Sequence, residues 1–154
     1  KTAPNSKQQY GKVTTMSRWP NTFFMAASIY ILVGVNWGLY MSITHDFVTA
    51  PAHAHLNLLG WVSMAIMGGF YALLGKETPS WLVKTNFALM NVGVICMITG
   101  LGLFFTQTAT IAQLVPLITV GELAIISGFV SFAAAVFLSL RLRAARRATL
   151  APAT

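Results

Sequence analysis

The segment Pro51-Ala52-His53-Ala54-His55-Leu56-Asn57-Leu58-Leu59-Gly60-Trp61 begins the second of four long apolar stretches and contains two of the chain's three histidines. On an α-helix a spacing of i, i+2 corresponds to a rotation of about 200°, so His53 and His55 leave the helix from nearly opposite faces. They cannot chelate one small metal ion from a regular helix, because that requires a spacing of i, i+3 or i, i+4. A single helix with this pair can therefore reach two different partners.

The composition of the chain is typical of a membrane protein. Of 154 residues, 56% are hydrophobic and 8% are charged, whereas soluble domains have about 45–50% apolar and about 25% charged residues. Each of the four apolar stretches is long enough to cross a hydrocarbon core of about 30 Å. They lie at about 22–43, 52–74, 82–105 and 115–140. The predicted fold class is all-α, an integral membrane four-helix bundle.

The net charge of +7 does not indicate a nucleic-acid partner, because the basic residues alternate along the chain. They precede the first apolar stretch, flank the second connection and follow the last stretch, while the other two connections contain no Lys or Arg. This is the positive-inside pattern of a multi-pass protein rather than a basic groove. It predicts that both termini are cytoplasmic, with tails over 1–20 and 143–154 around a transmembrane domain over 21–142.

Small and polar residues in the first stretch predict where its neighbours pack. Gly34, Asn36 and Gly38 are expected to face other helices, since small residues allow close approach of helix backbones in membranes. In the fourth stretch Pro116 is expected within the first turn, where its missing amide is harmless.

Histidine at the mouth of a membrane helix is costly unless it is used, and the residues leave three interpretations open. One is a non-covalent b-type haem with histidine as axial ligand, for which Gly60 leaves room. Another is a copper or zinc site formed by His45, His53, His55 and a carboxylate. In the third, the histidines only cap the helix end or contact lipid headgroups.

Glu122 is the acidic residue inside an apolar stretch. A carboxylate at that position is either a proton-relay or ligand-supporting group, or a solvated group near the membrane surface. It is expected at the same membrane depth as the histidine pair, together with His45 and Asp46. Glu122 and His45 are therefore weaker candidates for metal ligands.

The segment His53-Ala54-His55-Leu56-Asn57-Leu58-Leu59-Gly60-Trp61 resembles subunit I of the haem-copper oxidases and nitric oxide reductases. More closely, it is similar to short four-span proteins of the subunit I-like type. The resemblance extends from Ala50 to Phe70, and the rest matches only as four helices. Subunit I has three arcs of four helices, and in one arc a His-x-His pair on the second helix ligates two haems, one from each face. The resemblance thus implies a single four-helix arc.

The resemblance also implies which residues bind the haem. His53 and His55 would be the axial ligands of haem b, with Asn57, Gly60 and Trp61 lining the pocket and His45 as a ligand or propionate contact. One arc cannot close a haem between histidines on opposite faces, so a homo-oligomer is implied. A homotrimer, in which His53 of one subunit and His55 of the next hold each haem, is favoured over a two-fold dimer.

The family's copper ligands and its cross-linked histidine–tyrosine pair have no separate counterparts here, which argues against four-electron reduction of oxygen. Copper is a possible cofactor besides haem b. The expected role is respiratory electron transfer in a bacterial inner membrane, with quinol or cytochrome c as the electron partner. An oxidoreductase with O2 or NO chemistry, like a terminal oxidase or NO reductase, is the alternative if one axial position stays open. The competing class is a non-haem metal-binding, accessory or assembly subunit of a respiratory membrane complex.

Overall fold

The computed structural model describes residues 18–74 and 78–150, and no strand occurs in these ranges. Four helices account for almost all of them: α1 (Arg18–Thr44), α2 (Ala50–Leu74), α3 (Ser80–Phe105) and α4 (Ile111–Leu150). Each is long and apolar enough to cross a membrane. The all-α, four-span prediction is confirmed at this level. The tail up to residue 17, the connection at 75–77 and residues 151–154 lie outside the described residues.

Helix α4 begins earlier than the sequence predicted, at Ile111. The side chain of Gln113 accepts a hydrogen bond from the backbone amide of Thr110 (3.0 Å) and another from its hydroxyl (2.9 Å). A Gln side chain that reaches back to the N-cap amide is half of a capping box, which starts a helix at the next residue. Pro116 consequently lies inside the helix rather than in its first turn. The helix also continues through the arginine-rich end, where Ala, Leu and Arg favour helix.

Helix α2 contains a π-helical segment that the sequence pattern did not predict. It extends from Leu56 to Ser63 and follows His55 directly. The hydroxyl of Ser63 donates to the carbonyl of Leu58, five residues back, at 2.8 Å. Wide turns of this kind are rare and are frequent at functional sites. The segment therefore shifts the angular positions of the residues that follow the histidine pair.

The helices pack mainly on their neighbours in the chain: α1 on α2, α2 on α3, and α3 on α4. At the α3–α4 contact two glycines allow the backbones to touch. A Cβ atom on Gly93 would lie 2.8 Å from the backbone nitrogen of Ile125, and one on Gly121 would lie 2.7 Å from that of Met97. Small residues at such contacts are typical of membrane helix pairs.

An aromatic cluster joins the helices at the end of the bundle near the α2–α3 connection. The rings of Phe23 and Tyr71 are 5.1 Å apart, and those of Phe70 and Phe132 are 5.3 Å apart. Such tilted and edge-to-face pairs add about 0.5–1.5 kcal/mol beyond their area burial. This cluster fixes one end of the bundle, and the histidine pair lies at the other end of α2.

Asn86 is fully buried and links three helices through its amide. Its Nδ2 donates to the carbonyl of Gly128 (2.8 Å), and its Oδ1 accepts from the hydroxyl of Tyr71 (3.0 Å). Replacing Asn86 by leucine should lower the free energy of unfolding by about 1–2 kcal/mol, since it leaves buried polar groups unpaired. Unfolding in mixed detergent micelles, followed by circular dichroism, measures the loss.

The matched control for this substitution is Asn36→Leu. Asn36 is exposed and its Nδ2 donates only to the carbonyl of Leu32 in its own helix (2.7 Å). It thus faces away from the other helices of the chain, contrary to the sequence prediction. We expect no more than a small change for Asn36→Leu, and equal losses in the two variants would contradict the role assigned to Asn86.

Candidate functional site at the start of the second helix

His53 is half-buried and lies between α2 and α1. Its ring is edge-on to that of Trp37, with centroids 6.3 Å apart, and a Cβ atom on Gly38 would lie 3.1 Å from its Cε1. Asn57 Nδ2 donates to His53 Nε2 at 3.0 Å, so the ring proton is on Nδ1. That Nδ1 is buried and has no hydrogen-bond partner among the described residues. The His53 side chain therefore packs between α1 and α2 inside the bundle.

Two glycines one turn apart on α1 contact two polar side chains that are one turn apart on α2. Gly38 lies against His53, and a Cβ atom on Gly34 would overlap Asn57 Oδ1. The absence of side chains at both glycines lets the imidazole and the amide fit between the helices. The packing predicted for Gly34 and Gly38 is thus present, but it serves the His53–Asn57 pair specifically.

The start of α2 is tied to α1 by a further contact that sequence reasoning missed. The indole nitrogen Nε1 of Trp37 donates to the hydroxyl of Thr49 at 3.0 Å, and that hydroxyl lies 3.7 Å from the sulfur of Met41. The two partners are twelve residues apart and form no recognisable motif. This bond fixes the residue immediately before α2, and with it the position of the histidine pair.

His55 is exposed, unlike His53. Its Nδ1 is 2.7 Å from the carbonyl oxygen of Pro51, one turn back. A carbonyl can only accept, so Nδ1 carries the proton and donates it. In the tautomer of the neutral ring that this bond selects, Nε2 holds the lone pair and can bind a partner outside the bundle. The two histidines thus leave α2 in different directions, one towards α1 and one outward.

Of the other residues expected to line a haem pocket, Gly60 is not free to do so. A Cβ atom on Gly60 would lie 2.8 Å from Cγ of Tyr30, so the tyrosine ring occupies the space that the sequence left for a macrocycle. The hydroxyl of Tyr30 donates to Oδ1 of Asn91 at 2.8 Å and holds the ring there. Trp61, by contrast, is 41% exposed. His55 and Trp61 are therefore the members of the expected set that face outward.

The weaker ligand candidates, His45 and Glu122, are both exposed. His45 is exposed just beyond the end of α1 with a φ of 54°, and Asp46 accepts a bond from the backbone amide of Val48 at 3.0 Å. Glu122 is exposed on α4, next to the Gly121 that packs on α3. Within residues 18–74 and 78–150, no three His, Cys, Asp or Glu side chains form a group that could hold a metal ion.

Comparisons of this chain with family models, with curated proteins and with solved structures find no match. The site contains an exposed imidazole, that of His55, whose Nδ1 donates to a backbone carbonyl and whose Nε2 has no partner within the described residues of this site. It can donate the Nε2 lone pair to a metal centre which brings most of its own ligands.

Proposed function

We propose that this chain is a membrane b-type haem protein in which His55 supplies an axial imidazole, and that it transfers electrons in a respiratory membrane. The observation that carries the proposal is the bond from His55 Nδ1 to the carbonyl of Pro51 at 2.7 Å on an exposed residue. Histidine ligands almost always donate their other ring nitrogen to a carbonyl or carboxylate, which orients the ring and fixes its tautomer. His55 has that arrangement.

The donor set favours haem over a bare metal ion. Zinc and copper sites need three or four protein ligands, whereas a porphyrin supplies the equatorial nitrogens and needs only axial ligands from the protein. An outward imidazole that belongs to no group of three possible ligands among the described residues therefore suits haem. When bound, haem b supplies reversible one-electron chemistry, and His55 would hold it at the end of α2 near the α1–α2 connection. Copper remains the alternative if other chains complete the site.

His53 fits the haem less directly than His55. To act as a ligand it would have to give up the hydrogen bond from Asn57 and leave the slot beside Gly38. The homotrimer with alternating His53 and His55 ligands requires this rearrangement in every subunit. His53 acts more simply as a positioning residue that holds the start of α2 against α1.

A haem bound to the exposed His55 would lie outside this chain's core, with its opposite face open to water or lipid. A second protein ligand for the iron would then have to come from another molecule. Another copy of the chain is the simplest cover, so the proposal includes a homo-oligomer. If two side chains held the haem iron, the haem would supply electron transfer between quinol or cytochrome c and an acceptor. With one axial position open, O2 or NO chemistry becomes accessible. The positive-inside pattern supports cytoplasmic termini, and the membrane we propose is a bacterial inner membrane.

A reduced-minus-oxidised absorption spectrum of the purified protein, with carbon monoxide added to the reduced sample, tests the proposal. We expect a Soret band and sharp α-bands that carbon monoxide leaves unmoved, since six-coordinate iron has no free position. A Soret band that shifts would assign an open iron and the gas-binding role. Protein that contains no haem, even when expressed with ample haem supply, would overturn the proposal.

A second candidate rests on the same outward nitrogen. His55 Nε2 could complete a metal site that another membrane subunit provides, which would make this chain an accessory or assembly subunit of a respiratory complex. Metal analysis distinguishes the two: the purified chain alone would then contain neither haem nor stoichiometric copper, and would gain metal only with its partner.

A further inference from the structure

We propose that a groove between α1 and α3 binds a prenylated hydroquinone, with the ring at the polar end of the groove and the prenyl chain along its apolar part. The binding site itself does not depend on haem. As an identification of the electron donor, the inference rests on the proposed function and goes beyond it, because that function leaves quinol and cytochrome c open.

The groove consists of two adjoining cavities. One has a volume of about 490 Å³ and lies where α1 ends and α2 begins, and the other, of about 230 Å³, continues along α1 and α3. Trp37, Ile98 and Thr99 line both, so the two cavities form one groove. On α1 it extends from Ile29 to Tyr40, a distance of roughly 17 Å at the rise of an α-helix. Its length and volume suit a small molecule with a chain.

The two parts of the groove differ in polarity. The larger cavity contains the carboxylate of Asp46 and the hydroxyls of Thr49 and Thr106. The smaller cavity leads towards the middle of the spans, where the surroundings are apolar. A ligand that fills both parts therefore has a polar head near the membrane surface and an apolar chain. The apolar residues of the smaller cavity include Ile29, Val33, Leu56, Val94 and Ile95.

The polar end favours a neutral head that donates hydrogen bonds. Asp46 Oδ1 accepts from the backbone amide of Val48 at 3.0 Å, and a carboxylate has the capacity to accept several further bonds. Among the described residues that line the groove there is no Lys, Arg or His. The phosphate of a lipid headgroup would meet a negative charge without a cation to offset it. The hydroxyl of a hydroquinone can instead donate to the carboxylate, and such a charge-assisted bond is stronger than a neutral one.

The shape of the polar end favours a flat ring. On the α3 side, a Cβ atom on Gly102 would meet no described atom within 4 Å, so the space beside this glycine is open. On the α1 side the groove is lined by the aromatic rings of Trp37 and Tyr40, against which a planar head can stack. Trp37 also contacts the ring of His53, with centroids 6.3 Å apart. A ring bound here would therefore lie one side chain away from the histidine pair.

Photolabelling of the purified protein in lipid nanodiscs tests the site. The probe is a decyl-hydroquinone with a diazirine next to the ring, kept reduced under anaerobic conditions, and the labelled peptides are identified by mass spectrometry. We expect labels on residues 37–40 of α1 and 98–106 of α3, and loss of these labels when unlabelled decyl-hydroquinone competes. Labels confined to other helices would overturn the proposal.

Gly102→Leu should weaken competition by decyl-hydroquinone at least about tenfold, since the new side chain occupies the space for the ring. The matched control is Gly69→Leu. A Cβ atom on Gly69 also meets no described atom within 4 Å, and Gly69 lines neither cavity. We expect wild-type affinity in this control, and equal losses in the two variants would contradict the site.

Asp46→Asn tests the polar end without filling the groove, and its exposed position in a connection leaves the helices intact. The affinity for decyl-hydroquinone should fall about tenfold, because the charged acceptor is lost. The oxidised decyl-quinone has no hydroxyl to donate, so its affinity should not fall. An equal loss for both forms, or no loss for the hydroquinone, would contradict the assigned role of the carboxylate.

The remaining outcomes separate this site from the haem. A haem-containing protein that the hydroquinone probe does not label would overturn the hydroquinone site and leave the proposed haem function standing. A haem-free protein labelled in the groove would do the reverse. A phosphatidylglycerol with a diazirine in its acyl chain is the alternative occupant: if it labels the groove and decyl-hydroquinone does not displace it, the groove binds lipid and the proposal is wrong.

Discussion

Under the proposed haem-binding function, replacing His55 by alanine is expected to lower the haem content of the purified protein at least about tenfold, which corresponds to a loss of about 1.4 kcal/mol or more in haem affinity. The variant removes the exposed imidazole whose Nδ1 donates to the carbonyl of Pro51. Its exposed position means that no core contact is lost, so the fold should remain intact. The haem-to-protein absorbance ratio measures the effect.

His53→Gln is the matched control, because it changes the neighbouring histidine of the same pair. It removes the imidazole between Trp37 and Gly38 but leaves an amide that can bond to Asn57. We expect normal haem content and a modest loss of thermal stability, since the ring contacts at α1 are weakened. If His53→Gln loses haem and His55→Ala keeps it, the ligand assignment has been made to the wrong histidine.

Imidazole supplied in the growth medium and buffers gives the His55→Ala experiment a second readout. A small free imidazole can enter the space left by the missing side chain and ligate the iron. Partial recovery of the low-spin spectrum would assign the lost function to ligation rather than to altered packing. Absence of any recovery, together with an unfolded far-ultraviolet spectrum, would mean that His55 matters for the fold instead.

The four helices could be predicted from the sequence because the membrane imposes a simple requirement. Each span must be long and apolar, and its backbone must satisfy its own hydrogen bonds. The divergence of His53 and His55 also followed from helical geometry alone. In both cases a local pattern determines the outcome without knowledge of which helix lies beside which.

The rest of the site depends on contacts between distant residues. Nothing local to Gly60 indicates that Tyr30 fills the space beside it, and nothing local to Asn57 indicates that it turns back to His53 over Gly34. The π-helical turns from Leu56 to Ser63 likewise have no local pattern that predicts them. The start of α4 is different, because Thr110 and Gln113 have capping-box spacing and could have been recognised.

The largest effect on the fold is expected from Gly93→Ala, which should lower the free energy of unfolding by about 2 kcal/mol, as overpacking of a tight contact does. A Cβ atom there would lie 2.8 Å from the backbone nitrogen of Ile125 and 3.0 Å from the carbonyl oxygen of Gly121. Backbone atoms cannot rotate away as a side chain can, so α3 and α4 must separate.

Gly102→Ala in the same helix is the control, and its expected effect has the opposite sign. A Cβ atom on Gly102 would meet no described atom within 4 Å, so the substitution adds only the helix preference of alanine, a gain of up to about 1 kcal/mol. Unfolding of both variants in mixed micelles compares them directly. A stabilising Gly93→Ala would mean that the two backbones do not touch, and the close α3–α4 contact would then be wrong.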